Sequence, residues 1–242
     1  MQSELPYKRV LLKFSGEALA GEKRFGIDAD ILDRITDEII AAKALGVEFG
    51  VVIGGGNIFR GIQAEKWGIG RIKADQMGML ATVINALAMQ EMLERKNQEV
   101  HHLSAIRMVE IAEPMILPRA IEYLEKGRIV LFSSGTGNPF FSTDSAAALR
   151  AAEIRADAII KATKVDGVYD KDPIQFPDAK FYPSLDYQTI IEKQLKVMDL
   201  TAITMCRDNH IPMVVYNMNT SGDLKRILRG QKIGTMISGR KP

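Results

Sequence analysis

The sequence contains very little cysteine and histidine. Cys206 is the only cysteine among 242 residues, so the chain cannot form an internal disulfide. The three histidines, His101, His102 and His210, lie at none of the usual spacings of a tetrahedral zinc site. We therefore expect no structural zinc and a reducing, cytoplasmic environment.

Long apolar runs and an excess of one charge are also missing. No segment approaches the ~18 apolar residues of a membrane span, and the N-terminal apolar run meets a charge at Lys13 too early for a signal peptide. Thirty-two basic and 30 acidic side chains leave a net charge of +2. Proteins that coat a polyanion carry a larger, clustered basic excess, so we expect neither bulk nucleic-acid binding nor membrane binding.

What remains is the composition of a globular protein, with 46% hydrophobic and 26% charged residues. Short apolar runs predict strands at 10–14, 47–53, 100–104, 128–133, 157–161, 213–217 and 235–238. Helical patterns lie between them, at 27–45, 75–95, 118–126, 144–154, 187–193, 200–209 and 222–229.

This alternation is typical of α/β proteins. Strands that are apolar throughout predict a mostly parallel central sheet covered by helices on both faces, an αβα sandwich. No repeat or linker interrupts the pattern, so we expect a single domain over residues 1–242. The irregular stretch 165–186 is interpreted as a functional loop.

Four polar or glycine-rich segments directly follow predicted strands. They span residues 13–16, 54–61, 133–143 and 161–172. Ligands of an open α/β sheet bind outside the carboxyl ends of its strands, so we expect these segments to form one site.

Lys13 ends an otherwise apolar strand, in the segment KFSG. A buried lysine is costly unless it is paired, so Lys13 either reaches solvent or points at a phosphate. The segment that follows does not fit a P-loop, because Glu22 displaces the required Gly-Lys and Arg24 replaces the Ser/Thr that would bind magnesium.

The second segment is the glycine run of VVIGGGNIFRG. Gly54, Gly55 and Gly56 allow backbone N–H groups to approach a phosphate, and Arg60 adds a fork-shaped donor. A simple tight turn is the alternative interpretation.

The third and fourth segments each have two interpretations. Ser142, Thr143 and Asp144 begin a helix as ordinary N-terminal caps, and this interpretation is compatible with an anion site in which Asp144 orients Lys13 or helps to hold Mg²⁺. The turn at Asp166 predicts either a surface hairpin or a flap in which Tyr169 packs against a purine.

Together, the motifs KFSGEAL, VVIGGGNIFRG, DQMGMLATVINALAM, GTGNPFFSTDSAA, KATKVDGVYDKDP and LKVMDL resemble those of the bacterial uridylate (UMP) kinase family, in the amino-acid kinase superfamily. The resemblance runs from about residue 7 to residue 238. GTGNPFFSTDSAA is highly specific for the family, whereas the KFSG, GGG and VDGVY-x-x-DP elements are shared more widely with relatives such as carbamate and acetylglutamate kinases.

The resemblance implies transfer of a phosphoryl group from ATP to UMP with Mg²⁺, on an αβα sandwich without a P-loop. It implies Lys13, Arg60 and Asp144 as catalytic residues and leaves the metal ligands unknown. The ATP-binding residues implied are Lys13, Phe14, Ser15, Gly16, Gly56, Arg60, Thr163, Tyr169 and Asp172. The UMP-binding residues implied are Gly55, Asp75, Thr136, Gly137, Asn138, Pro139, Phe140, Phe141, Ser142 and Thr143.

Regulation and assembly are also implied by the resemblance. The family forms homohexamers and is inhibited by UTP, and the Met-rich segment 77–92 suits either an interface helix or a core helix. Activation by GTP is left open, because Gln90, Glu94, His101 and His102 stand where enterobacterial relatives carry arginine-rich contacts.

Two other functions fit parts of the sequence. A related kinase acting on a carboxylate or carbamate would keep the ATP half and change the acceptor loop, which the GTGNPFFST segment disfavours. A sensor that binds UMP or UTP without catalysis would not need Lys13, Arg60 and Asp144 together.

Overall fold

The computed structural model describes residues 5–23 and 25–239, and Arg24 lies outside them. A sheet of nine strands in the order β4-β3-β5-β2-β1-β6-β10-β11-β9 forms the centre, and β7 and β8 form a separate ribbon. The strands are β1 (Arg9–Phe14), β2 (Glu48–Ile53), β3 (Val100–Ser104), β4 (Glu113–Pro114), β5 (Ile129–Ser133), β6 (Ala158–Thr163), β7 (Val168–Tyr169), β8 (Phe181–Tyr182), β9 (Ser184–Asp186), β10 (Met213–Asn217) and β11 (Thr235–Ser238).

Helices cover both faces of this sheet. They are α1 (Gly16–Leu19), α2 (Ala29–Lys43), α3 (Gly61–Lys66), α4 (Arg71–Arg95), α5 (Leu117–Glu125), α6 (Thr143–Glu153), α7 (Tyr187–Glu192), α8 (Leu200–Asp208) and α9 (Asp223–Leu228). In the central sheet every neighbouring pair is parallel except β10 with β11. The predicted αβα sandwich with a mostly parallel sheet is therefore confirmed.

The alternation of side chains along β1 produces the two core layers. Leu12 points to one face and packs with residues of α2, α4 and α9, whereas Leu11 points to the other and packs with residues of α5, α6 and α8. Every residue of β1 is buried, which is why this strand shows no alternation of polar and apolar residues in the sequence.

Most predicted elements agree with the structure to within two residues, but α4 begins at Arg71, one turn earlier than predicted. Gly70 caps the helix in an extended conformation, and Arg71 pairs with Asp75 one turn later. The first turn of α4 contains Arg71 and Lys73, so the hydrophobic pattern does not extend to the start of the helix. Asp28 caps α2 as predicted, with its carboxylate accepting from Asp30 N and Ile31 N.

Several short elements were not predicted. Helices α1 and α3 have four and six residues, too few for a hydrophobic period to show. The stretch interpreted as a loop, 165–186, contains β7, β8 and β9, of two or three residues each. No helix within the described ranges is long and apolar enough to cross a membrane.

His102 is a buried polar residue in β3, beneath α4. Its Nε2 atom lies 2.7 Å from Ser133 Oγ, and its Nδ1 atom has no partner within the described part of the chain. Burial lowers the pKa of His102 from 6.5 to about 4, because a charged imidazole would lose its hydration there. The folded protein therefore keeps this histidine neutral at neutral pH.

We expect His102 to make the protein less stable in mild acid. Between pH 6.5 and 4 the unfolded chain binds a proton at His102 and the folded chain does not, so the free energy of unfolding falls by up to ~1.4 kcal/mol per pH unit. The free energy of unfolding, measured by urea denaturation at several pH values, should depend less steeply on pH in His102→Gln than in the wild-type protein. The exposed His210→Asn is the control, and an unchanged slope in His102→Gln would contradict the prediction.

Candidate active site

Strands β5, β2, β1 and β6 are neighbours in the sheet and run parallel. The four segments that follow them therefore start at the same edge, as predicted. The Asp144 carboxylate at the start of α6 faces the end of β1 at this edge.

Lys13 is paired and does not reach solvent. It is only 6% exposed, and its Nζ atom lies 2.5 Å from Asp144 Oδ1. Lys161 stands beside it in register on β6, with its Nζ atom 3.3 Å from Asp144 Oδ2 and donating to the carbonyl of Val197. Lys13, Asp144 and Lys161 form what we call the ion cluster.

The pKa values in the ion cluster reflect burial and crowding of positive charge. Burial opposes ionisation of Asp144, but the two ammonium groups outweigh it and hold its pKa below the usual value. Burial lowers the pKa of Lys161, Lys13 lowers it further, and Asp144 offsets this only in part, so that the pKa of Lys161 falls to about 8. The cluster thus presents a concentrated positive field at the sheet edge.

Capping interactions hold Asp144 in place. Ser142 caps α6 by accepting from Asp144 N at 3.0 Å and Ser145 N at 3.1 Å, so the capping interpretation of this segment is correct. Asp199 caps α8 by accepting from Ala202 N, and it also accepts from the hydroxyls of Ser142 and Ser145. The starts of α6 and α8 are therefore tied together.

Lys161 and Asp199 were not predicted as site residues. A lysine inside the apolar run DAIIKAT is the same signal that singled out Lys13, and it could have found Lys161. Asp199 precedes a helical pattern, which indicates a cap, but nothing in the sequence shows that it reaches α6.

Close backbone approach explains Gly16 and Gly55. A Cβ atom on Gly16 would lie 2.6 Å from both Gly54 O and Gly56 N, and one on Gly55 would lie 2.8 Å from Gly78 O in α4. Arg60 Nη2 lies 3.0 Å from Glu17 Oε1, and its Nε atom donates to Gly56 O. The loop after β2 thus packs tightly between the turn after β1 and α4.

One cavity at the site edge has a volume of about 180 Å³ and lies between α4 and the loop before α6. It is lined by most of the residues predicted to bind UMP, namely Gly55, Asp75, Thr136, Asn138, Phe141, Ser142 and Thr143. Gly56, predicted on the ATP side, also lines it, whereas Gly137, Pro139 and Phe140 do not. We call it the acceptor cavity.

Asp75 faces the acceptor cavity and is held from two sides. Its carboxylate lies 2.8 Å from Arg71 Nε and accepts from Phe140 N at 2.7 Å. Phe140 has a φ of +74°, which is unusual for a bulky residue. Phe140 therefore closes the loop through its backbone, although its exposed ring does not line the cavity.

A larger cavity of about 660 Å³ lies on the other side of the ion cluster. Thr163, Tyr169 and Asp172, all predicted on the adenosine side, line it together with Lys161. Tyr169 packs on Phe181 in the β7–β8 ribbon, with ring centroids 5.4 Å apart, so the segment is both a hairpin and a cavity wall. We call it the donor cavity.

The remaining predicted residues lie at the edge without lining either cavity. Lys13 and Asp144 belong to the ion cluster, and Ser15 caps α1 in front of Gly16. The Phe14 side chain is buried in the core, so only its backbone faces the edge. Two cavities with clustered cations beside them suit a transfer of phosphoryl groups between two ligands.

Comparison with known proteins agrees with this geometry. The sequence profile of the amino acid kinase family matches residues 8–217. A curated uridylate kinase of Xanthomonas oryzae pv. oryzae is 53% identical over 238 residues, which cover 98% of this chain and 99% of that protein.

Solved structures are similar over nearly the whole chain. UMP kinase of Bacillus anthracis superposes with a TM-score of 0.94 at 42% identity, covering 98% of both chains. UMP kinase of Ureaplasma parvum gives a TM-score of 0.89 at 34% identity, covering 96% of this chain and 98% of that one.

A match over most of the sequence, on a parallel αβα sandwich with paired cations at the strand ends, places this chain among the amino acid kinases. Identity at this level over full length narrows the assignment further, and the chain belongs to the UMP kinase family.

We expect Asp144 to set the ionisation of Lys161. Asp144→Asn removes the negative charge that raises the pKa of Lys161, so this pKa should fall further below 8. Titration of the ¹³Cε resonance of Lys161 by NMR measures it directly. Asp37→Asn, on α2, should leave the titration unchanged, and a Lys161 midpoint that stays the same in Asp144→Asn would refute this account.

Proposed function

We propose that this protein transfers the γ-phosphoryl group of ATP to UMP, giving ADP and UDP for pyrimidine nucleotide synthesis. The observation that carries the proposal is the ion cluster of Lys13, Asp144 and Lys161, in which Lys161 lines the donor cavity and Asp144 directly follows Thr143, which lines the acceptor cavity. The family assignment supports UMP and ATP as the two substrates.

The two cavities suit the two nucleotides. In our proposal adenosine occupies the donor cavity beside Thr163, Tyr169 and Asp172, and UMP occupies the smaller acceptor cavity. Asp75 would accept hydrogen bonds from the ribose hydroxyls, because its carboxylate faces that cavity. The loop 136–143 would then surround the uracil ring.

The chemistry proposed needs charge and positioning only. The attacking group is a phosphate oxygen of UMP, which is already a nucleophile, so no general base is required. Lys13, Lys161 and Arg60 would balance the negative charge that spreads over the transferred group, together with the amides of Gly55 and Gly56. Asp144 would keep the two lysines close to each other despite their repulsion.

Magnesium would enter this site with ATP. The described residues contain no cluster of three or more His, Cys, Asp or Glu that could hold a metal. The carboxylate of Asp144 is already paired with both lysines. This donor set fits an ion bound mainly by the phosphates of ATP, as is usual for Mg²⁺. There the ion would neutralise charge on the β- and γ-phosphates.

Regulation by nucleotides is part of the proposal. UTP shares its uridine with UMP, so the acceptor cavity would bind it and make it an inhibitor. Activation by GTP is left to the assay. His101, which stands where enterobacterial relatives carry arginine-rich contacts, is already in contact with Glu113 at 2.8 Å and with Arg128 at 3.2 Å. Both effectors enter the assay described below.

We also propose a cytoplasmic homohexamer in which residues 1–242 act as one domain. The outer face of α4 supports assembly, because Leu80, Ile84 and Leu87 form an apolar stripe one or two turns apart and are 51, 48 and 39% exposed. The opposite face of α4 packs into the core through Met89 and Leu93. The helix thus has a core face and an exposed apolar face, to which we assign the subunit interface.

The proposed reaction predicts UDP formation from ATP and UMP with Mg²⁺ in a coupled assay. Lys13→Ala should lower kcat by ~10²–10³-fold, the loss expected when one oriented donor is removed. Lys13→Met, which keeps the shape of the buried stem, should give a similar loss.

Several controls accompany this assay. Lys126→Ala changes an exposed lysine at the C-terminal end of α5, which lines neither cavity, and should keep full activity. N-acetylglutamate, CMP and dUMP test the acceptor, and UTP and GTP test regulation. Binding of UMP without UDP formation would identify a nucleotide sensor, and near-full turnover in Lys13→Ala would remove Lys13 from the mechanism.

The hexamer predicts a dependence on the α4 stripe. Leu80→Asp should shift the particle from a hexamer to smaller species in analytical ultracentrifugation, because a charge would be buried in the interface. Leu200→Asp, at a similarly exposed leucine on α8, is the matched control. A wild-type protein that sediments as a monomer would rule the assembly out.

A further inference from the structure

Two fully buried asparagines face each other behind the glycine loop of residues 54–56. Asn57 directly follows the loop, and Asn85 lies in the middle of α4; they are 1% and 0% exposed. Asn57 Nδ2 donates to Asn85 Oδ1 at 2.9 Å, and Asn85 Nδ2 donates to Asn57 Oδ1 at 2.7 Å. We call them the amide pair.

The amide pair uses all four of its N–H bonds. Besides the two reciprocal bonds, Asn85 Nδ2 donates to Gly54 O at 2.7 Å and Asn57 Nδ2 donates to Gly26 O at 2.9 Å. A side-chain amide has two N–H donors, so no donor is left over. Such a fully satisfied buried network specifies one arrangement of the segments that it joins.

Those segments include both phosphate-facing turns. Asn85 donates to Gly54 O at the start of the glycine loop and bonds to Asn57 directly after its end. The amide pair therefore holds the loop at both ends. The turn after β1 rests on the same group, since a Cβ atom on Gly16 would lie 2.5 Å from Asn57 Oδ1. The backbone at Gly26 is bound as well, through Gly26 N to Asn57 O at 2.9 Å.

Helix α4 is the common support of these contacts. Asp75 faces the acceptor cavity near the start of α4, and Asn85 lies ten residues later, about 15 Å along the helix axis. One rigid helix therefore carries the carboxylate at the acceptor cavity and the amide that fixes the glycine loop. Neither asparagine lines the acceptor or the donor cavity.

We propose that Asn57 and Asn85 are positioning residues for phosphoryl transfer: their amide pair fixes the glycine-loop amides relative to the acceptor carboxylate on α4. This inference rests on the proposed function, because it assigns those amides to the transferred phosphate. The nucleotide bases bind elsewhere, so loss of the pair should affect turnover more than substrate binding. Displacement of a reacting group by about 1 Å lowers rates by ~10²-fold.

The test uses Asn85→Leu, Asn57→Leu and the double variant in the full-length protein. We expect each single variant to lower kcat by ~10–100-fold and to change KM for ATP and for UMP by less than about threefold, because both base subsites are intact. The double variant should lose about as much as one single variant, since the two amides act as a unit.

A matched control separates positioning from stability. Thr36→Val removes another fully buried polar group, whose hydroxyl donates only to Asp33 O within α2. It should lower the melting temperature without changing kcat. Full turnover in the asparagine variants, or higher KM values at unchanged kcat, would overturn the proposal.

A measurement on the wild-type protein tests the amide pair even if the asparagine variants fail to fold. The side-chain NH₂ groups of Asn57 and Asn85 should exchange slowly with solvent before any nucleotide is added, unlike the exposed Asn219. Fast exchange of both groups would show that the loop is not held and would refute the amide pair. This readout does not depend on activity, so it stays informative even if UMP proves not to be the acceptor.

Discussion

The repulsion between Lys13 and Lys161 is the constraint on which the rest of the site depends. Parallel pairing of β1 with β6 places the two lysines side by side, with side chains that are only 7% and 12% exposed. Asp144 makes this arrangement stable by pairing with both. Its position depends in turn on the Ser142 cap and on Asp199, so the helix starts and the cations form one connected unit.

Much of the fold could be predicted from the sequence because its strands are buried on both faces. A strand such as β1 appears as a continuous apolar run, and Lys13 is conspicuous within it for the same reason. Some of the shortest elements, among them α1, α3 and β7, were not predicted, because they carry no period long enough to detect. Their positions follow from packing against the larger elements.

The site was predictable where residues are adjacent in the chain and was not predictable where it depends on distant ones. The glycines and the segment 136–143 were found as motifs, and most of them line a cavity. Asp199 contacts Ser142 at the start of α6, which lies 57 positions away in the chain. Phe140 N donates to Asp75, which lies 65 positions away. Only the completed sheet brings such residues together, so local patterns do not reveal them.

The order of the strands separates the two halves of the site. The acceptor loop follows β5, on one side of β1, whereas the wall of the donor cavity follows β6, on the other side. Changes in residues 136–141 of the acceptor loop therefore leave the wall of the donor cavity and Lys13 on β1 in place, provided that the Ser142 cap that holds Asp144 is kept. The strand order thus allows one cavity to be reshaped by substitutions that do not reach the wall of the other.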